Sequence, residues 1–77
     1  MTRSEFLRLL EGQMEIAEGS LNENQQLSEI EGWDSLAALL FIALADEKLG
    51  TTVGGNDIAN SKSVNDLLAL LGDRLTS

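Results

Sequence analysis

Cysteine, histidine and proline are absent from the 77 residues, and aromatics are confined to Phe6, Trp33 and Phe41. The missing cysteine excludes disulfides, thiolate nucleophiles and thiolate metal sites; the missing histidine removes the commonest general base and the commonest nitrogen ligand. A serine nucleophile would have only carboxylates, three arginines and two lysines to activate it, which disfavours a hydrolase. With no proline and a predominance of Ala and Leu, the apolar residues favour helices. Basic residues are also scarce: five against thirteen acids give a formal charge of −8, and none lies between Arg8 and Lys48. That field repels nucleic acid and anionic lipid and steers basic protein surfaces toward the chain, although the same charge also serves simple solubility. The longest apolar run, Leu36 to Ala45, is too short for a ~30 Å hydrocarbon core at ~1.5 Å per residue. With no basic segment leading into an apolar one at the start, the expectation is a soluble, cytoplasmic protein with no membrane span and no nucleic-acid partner. Residues 1–77 suit a single domain, which at this size hides only about 60% of its unfolded surface.

The pattern predicts an all-α fold, a small four-helix bundle of three longer helices and a short third one. Thr2 with Glu5 makes a capping-box pattern, and Phe6, Leu9, Leu10, Gln13, Ile16 and Ala17 follow at helical spacing, predicting a first helix over 3–17. Residues 18–33 are polar, with Leu21, Leu27 and Ile30 as isolated anchors, and read as a long ordered loop. Asp34 is a good N-cap for a second helix that ends at Leu49 before Gly50. Asn56 can cap a helical turn holding Asp57, Ile58 and Ala59. Ser63 with Asp66 opens a last helix whose stripe is Val64, Leu67, Leu68, Leu71 and Leu75, ending near Thr76.

On the second helix, Ala38, Phe41, Ile42, Ala45 and Leu49 share one face, while Ser35, Leu36, Leu39, Leu40, Ala43, Asp46 and Glu47 share the other. A helix apolar on both faces exceeds what so small a core can cover. Either the helix is central under the long loop, or Leu36, Leu39, Leu40 and Ala43 form a docking surface beside Ser35, the reading favoured here. Asp46 and Glu47 lack the spacing of an oxygen-ligand loop and read as solvated surface, so no resident metal is expected. Gly54-Gly55 lacks the lysine and hydroxyl that would follow in a phosphate-binding loop and reads as a turn.

Ser35, in Gly32-Trp33-Asp34-Ser35-Leu36, would be the first residue of the second helix, where the positive end of the dipole and free N–H groups favour an anion on its hydroxyl. Serine is common at helix starts for capping reasons, so the triplet alone says little. In its register, however, the chain resembles the acyl carrier and peptidyl carrier protein family. Asp34-Ser35-Leu36 opens the second helix, Asp46-Glu47 lies near its end, Leu49, Gly50 and Val53 follow, and Ser63-Val64 begins the last helix, with no gap between Asp34 and Val64.

The resemblance implies that Ser35 receives 4′-phosphopantetheine from coenzyme A through a separate phosphopantetheinyl transferase, and that the arm's thiol carries an acyl or aminoacyl group as a thioester. It implies a carrier of fatty-acid, polyketide or related biosynthesis that does no chemistry itself, a reading consistent with the missing histidine and cysteine. Asp34 and Leu36 would help dock the transferase and partner enzymes. The chain departs from many acyl carriers in having Ala37, Leu40 and Ala43 where they carry acids. Partners would therefore grip apolar contacts at Leu39, Leu40 and Ala43 within a rim that includes Glu29, Glu31, Asp46 and Glu47. Trp33 can shelter the arm or cargo, or simply fill the gap between loop and core. The protein is expected to be monomeric, with acyl- or aminoacyl-loading and processing enzymes bearing basic and apolar surfaces as partners. A different reading is a non-catalytic adaptor that buries the second helix permanently in a partner. A serine hydrolase is excluded by Trp33 inside the Gly-Asp-Ser-Leu-like run and by the lack of a base.

Overall fold

The computed structural model describes residues 1–76. Four α-helices follow one another, α1 (Arg3–Met14), α2 (Ser35–Leu49), α3 (Gly55–Ala59) and α4 (Val64–Ala69), with 3-10 turns at Leu27–Glu29 and Gly72–Arg74. No strand forms among the described residues; two isolated bridges pair Thr2 with Thr76 and Gln26 with Ser63. The all-helical expectation holds.

Thr2 and Glu5 form the capping box read from the sequence: Thr2 Oγ1 accepts the Glu5 N–H at 3.1 Å, and Glu5 Oε1 accepts the Thr2 N–H at 2.8 Å. α1 stops at Met14 rather than 17. Glu15 turns into the left-handed region at φ 59°, its N–H reaches Gly12 O and the Ile16 N–H reaches Glu11 O, satisfying the last carbonyls. The buried face of α1 is Phe6, Leu7, Leu10 and Glu11, whereas Leu9, Gln13 and Ala17 are exposed, so the stripe lies one step round from the expected one.

Phe6 and Phe41 are both 0% exposed and meet edge to face, with centroids 5.6 Å apart at 76°. This pair joins α1 to α2, and Leu67, Leu68, Leu71 and Leu75 close the core from the C-terminal segment. All five residues of the expected last stripe are buried, but α4 ends at Ala69: Gly72 at φ 54° turns the backbone, and Leu75 reaches the core from extended chain instead of helix. α3 begins at Gly55, capped by Gly54 and not by Asn56, because the Asp57 carboxylate reaches back to the Gly54 N–H at 3.3 Å.

The segment between α1 and α2 is ordered by polar contacts as well as its apolar anchors. Leu21 and Leu27 are buried, and Ile30 packs on the core. Glu11, 1% exposed, accepts the N–H groups of Gly19 (3.0 Å) and Leu21 (2.7 Å). Arg8 donates to Leu21 O at 2.9 Å. Its Nε lies 2.8 Å from Glu11 Oε1, misaligned for a hydrogen bond but close enough to neutralise the carboxylate. Further on, the Leu27 N–H donates to Lys62 O (2.8 Å), Val64 to Gln25 O (3.0 Å) and Asn65 to Glu23 O (3.0 Å), stitching the loop to the start of α4.

Candidate functional site

Gly32, at φ 87°, provides the left-handed turn that few other residues adopt without strain, and Trp33 then donates its N–H to Ile30 O at 3.2 Å. The chain thus enters α2 through Asp34, whose Oδ1 accepts the Ala37 N–H at 3.0 Å while its carbonyl accepts from Ala38. Ser35 is therefore the first residue of a fifteen-residue helix closed by left-handed Gly50, as read from the sequence. It is exposed, and its hydroxyl makes no hydrogen bond among the described residues. An anion attached there would meet the positive end of the helix dipole.

Ser35 opens onto a groove of about 620 Å³ between α2 and α3. Trp33, Ala38, Leu39 and Ile42 form one wall, Ile58 and Ala59 the other, Leu27 lies against the loop, and Ser28 and Ser61 add hydroxyls. Trp33 is half-buried, packs on the core and also lines this groove, so it has both contacts that its sequence position allowed.

The face of α2 that enters the core is Ala37, Phe41, Leu44 and Ala45, with Ala38, Ile42 and Leu49 only partly covered. This shifts the expected core face toward Ala37 and releases Ala38 and Ile42 to the groove. The residues expected to dock partners fall into separate places. Leu39, 61% exposed, lines the groove; Leu36, 64% exposed, borders a smaller pocket of about 100 Å³ with Met14, Ile16 and Gly32. Leu40 also lines that pocket but is half-buried and packs on the core. Ala43, Asp46 and Glu47 are exposed farther along the helix, with Glu47 3.8 Å from Lys48.

Ser28, Ile42, Ile58, Ala59 and Ser61 were not picked out from sequence as site residues. They converge only once α3 lies beside α2, and no local motif marks that meeting.

A family model for the phosphopantetheine attachment site matches residues 4–71, from the second residue of α1 to just beyond α4. The chain belongs to that family. No curated protein and no solved structure matches it. The family's prosthetic group is 4′-phosphopantetheine, which gives this phosphopantetheine-attachment domain a carrier role; such domains are in general not catalytic. The local chemistry fits the group. Ser35 offers a free, exposed hydroxyl at a helix N-terminus, and Asp34, the adjoining carboxylate, is engaged with the Ala37 N–H instead of the Ser35 hydroxyl. No helix among the described residues is long and apolar enough to cross a membrane.

Proposed function

We propose that this phosphopantetheine-attachment domain carries acyl or aminoacyl intermediates as thioesters on an arm attached to Ser35. The observation that carries the reading is the uncommitted Ser35 hydroxyl at the head of α2, opening onto an apolar groove. When bound, the arm supplies the thiol that holds the cargo. The chain's own residues position and present: Asp34 caps the helix so that Ser35 stands at its positive end, and Leu36 offers an exposed apolar contact to the transferase. Among the described residues no base hydrogen-bonds the Ser35 hydroxyl, so activation of the hydroxyl falls to the transferase, and the domain acts as a substrate of other enzymes.

Partners are the phosphopantetheinyl transferase and the loading and processing enzymes, docking through Leu36, Leu39, Leu40 and Ala43 with Asp46 and Glu47 as a charged rim that speeds approach of basic surfaces. The wide apolar stretch of α2 favours a dedicated carrier of a specialised fatty-acid, polyketide or related pathway, acting as a cytoplasmic monomer. Incubation with coenzyme A and a broad-specificity transferase should add one phosphopantetheine mass to the wild-type protein and none to Ser35→Ala. An unmodified wild type, or a modified variant, would refute the reading.

The exposure of Leu36 and Leu39 also suits an adaptor that keeps one partner on α2. Stable co-purification of a single partner, unchanged by Ser35→Ala, would support the adaptor over the carrier.

A further inference from the structure

The groove beside Ser35 does not end at its apolar walls. Leu27, Ser28 and Ser61 also line a second hollow of about 320 Å³, completed by Gln26 and Lys62, so a more polar hollow adjoins the apolar groove across these three shared residues. Lys62 is exposed and, like Arg74, makes no ion pair among the described residues, whereas Arg3, Arg8 and Lys48 each lie within 4 Å of a carboxylate; of the two, Lys62 borders the groove's neighbouring hollow and Arg74 lines neither. The nearest acid in sequence, Asp66, turns its carboxylate to the backbone N–H groups of Lys62 (2.9 Å) and Ser63 (3.1 Å), and the Lys62 charge is the smallest of the influences on it. The Ser28 hydroxyl has no hydrogen-bond partner among the described residues, and Ser61, which donates to Asp57 O at 3.0 Å, can still accept. In a domain of net charge −8, a lysine without an ion pair and two hydroxyls bordering the hollow next to an apolar groove form an unusual place for an anion.

We propose that the cargo of this carrier is an acyl chain ending in a carboxylate, its methylenes against Leu39, Ile42 and Ile58 and its terminal carboxylate at Lys62, Ser28 and Ser61. The proposal rests on attachment at Ser35 and adds the chemical class of the cargo. Most of the surface is anionic and disfavours such a carboxylate, and Lys62 is the unpaired cation beside the groove, so the folded-back position is favoured for this cargo. A methyl-ended chain would enter the apolar walls without engaging the far end, and changes at Lys62 would leave it indifferent.

The test is a double-mutant cycle between the cargo head and Lys62. The apo-protein and Lys62→Gln are each loaded by the transferase from two coenzyme A thioesters of equal carbon count, one methyl-ended and one carboxyl-ended. Release of the cargo by hydroxylamine is then followed by intact mass. The carboxyl-ended cargo should be released about two- to fivefold faster from Lys62→Gln than from wild type, the range expected of one exposed ion pair. The methyl-ended cargo should be released at one rate from both proteins, and added salt should shrink the difference for the carboxyl-ended cargo. Amide resonances of Ser28 and Ser61 should shift with the carboxyl-ended cargo only. Equal release of the carboxyl-ended cargo from both proteins, or an equal Lys62 effect on both cargoes, would overturn the proposal while leaving the carrier reading intact. Failure of both proteins to accept either thioester would overturn the carrier reading and the proposal with it.

Discussion

The two flanks of α2 at Ser35 are built in opposite ways. On the α1 side, the incoming loop is fastened by a buried carboxylate that takes two backbone N–H groups and by an arginine that takes a backbone carbonyl; farther along, hydrogen bonds tie the loop to the start of α4. On the α3 side, short side chains and Ile58 leave an open groove. Buried polar groups with fixed partners allow few alternative positions, because leaving one unpaired is costly. The closed flank thus sets where Ser35 stands, and the open flank leaves room beside it.

Breaking the closed flank should have the largest effect. Glu11→Ala strands two backbone donors and leaves Arg8 without its counter-ion, and should cost about 3 kcal/mol in urea unfolding. A loss below about 0.5 kcal/mol, the range of ordinary surface substitutions, would show that the loop is held by Leu21 and Leu27 instead. Removing the cap that seats the other end of the stitch is a smaller disturbance. Ser63 Oγ accepts the Asp66 N–H at 3.1 Å, and Ser63→Ala should lower stability by about 1 kcal/mol in the same assay.

The same cap gives the loop's attachment to α4 a pH dependence. The backbone N–H of Lys62, and then that of Ser63, hold the Asp66 carboxyl below its ordinary value. A carboxyl that is more acidic in the folded state stabilises the fold above the unfolded pKa, and the benefit disappears as pH falls through the folded one. Wild type should therefore exceed Asp66→Asn in stability above about pH 4, the ordinary aspartate range, and the gap should close in more acidic solution. A pH-independent gap in acid denaturation curves would contradict this assignment.

On the open flank, Leu39→Ala should change stability by less than about 0.5 kcal/mol, because the side chain is 61% exposed, while slowing transfer of cargo to partner enzymes. Leu40 is a poorer position for that test: its half-buried side chain packs on the core, and a charge there would disturb folding as well as docking.

The limits of α2 were legible because both are local devices. Asp34 caps within three residues of itself, and Gly50 supplies a left-handed turn at its own position. The capping boxes at Thr2 and Ser63 were legible for the same reason. The end of α1 was not, since a non-glycine residue, Glu15, takes the left-handed turn where the chain departs toward segments held by Glu11. Glu11 itself reads in sequence as one acid among many; only its burial beside Leu7 and Leu10 reveals its use. The register points to Ser35 as the proposed attachment point, but the groove beside it is assembled from Leu27, Ile42 and Ile58, which lie in three separate segments. Which of the α2 leucines face that groove depends on the position of α3, a tertiary fact.

Three serines, Ser28, Ser35 and Ser61, line the same groove, so fragmentation of the loaded protein to locate the added mass tests the central claim most directly. Only Ser35 begins a long helix, and the account predicts that all of the phosphopantetheine mass resides there. Mass on Ser28, on Ser61 or on any other residue would contradict it.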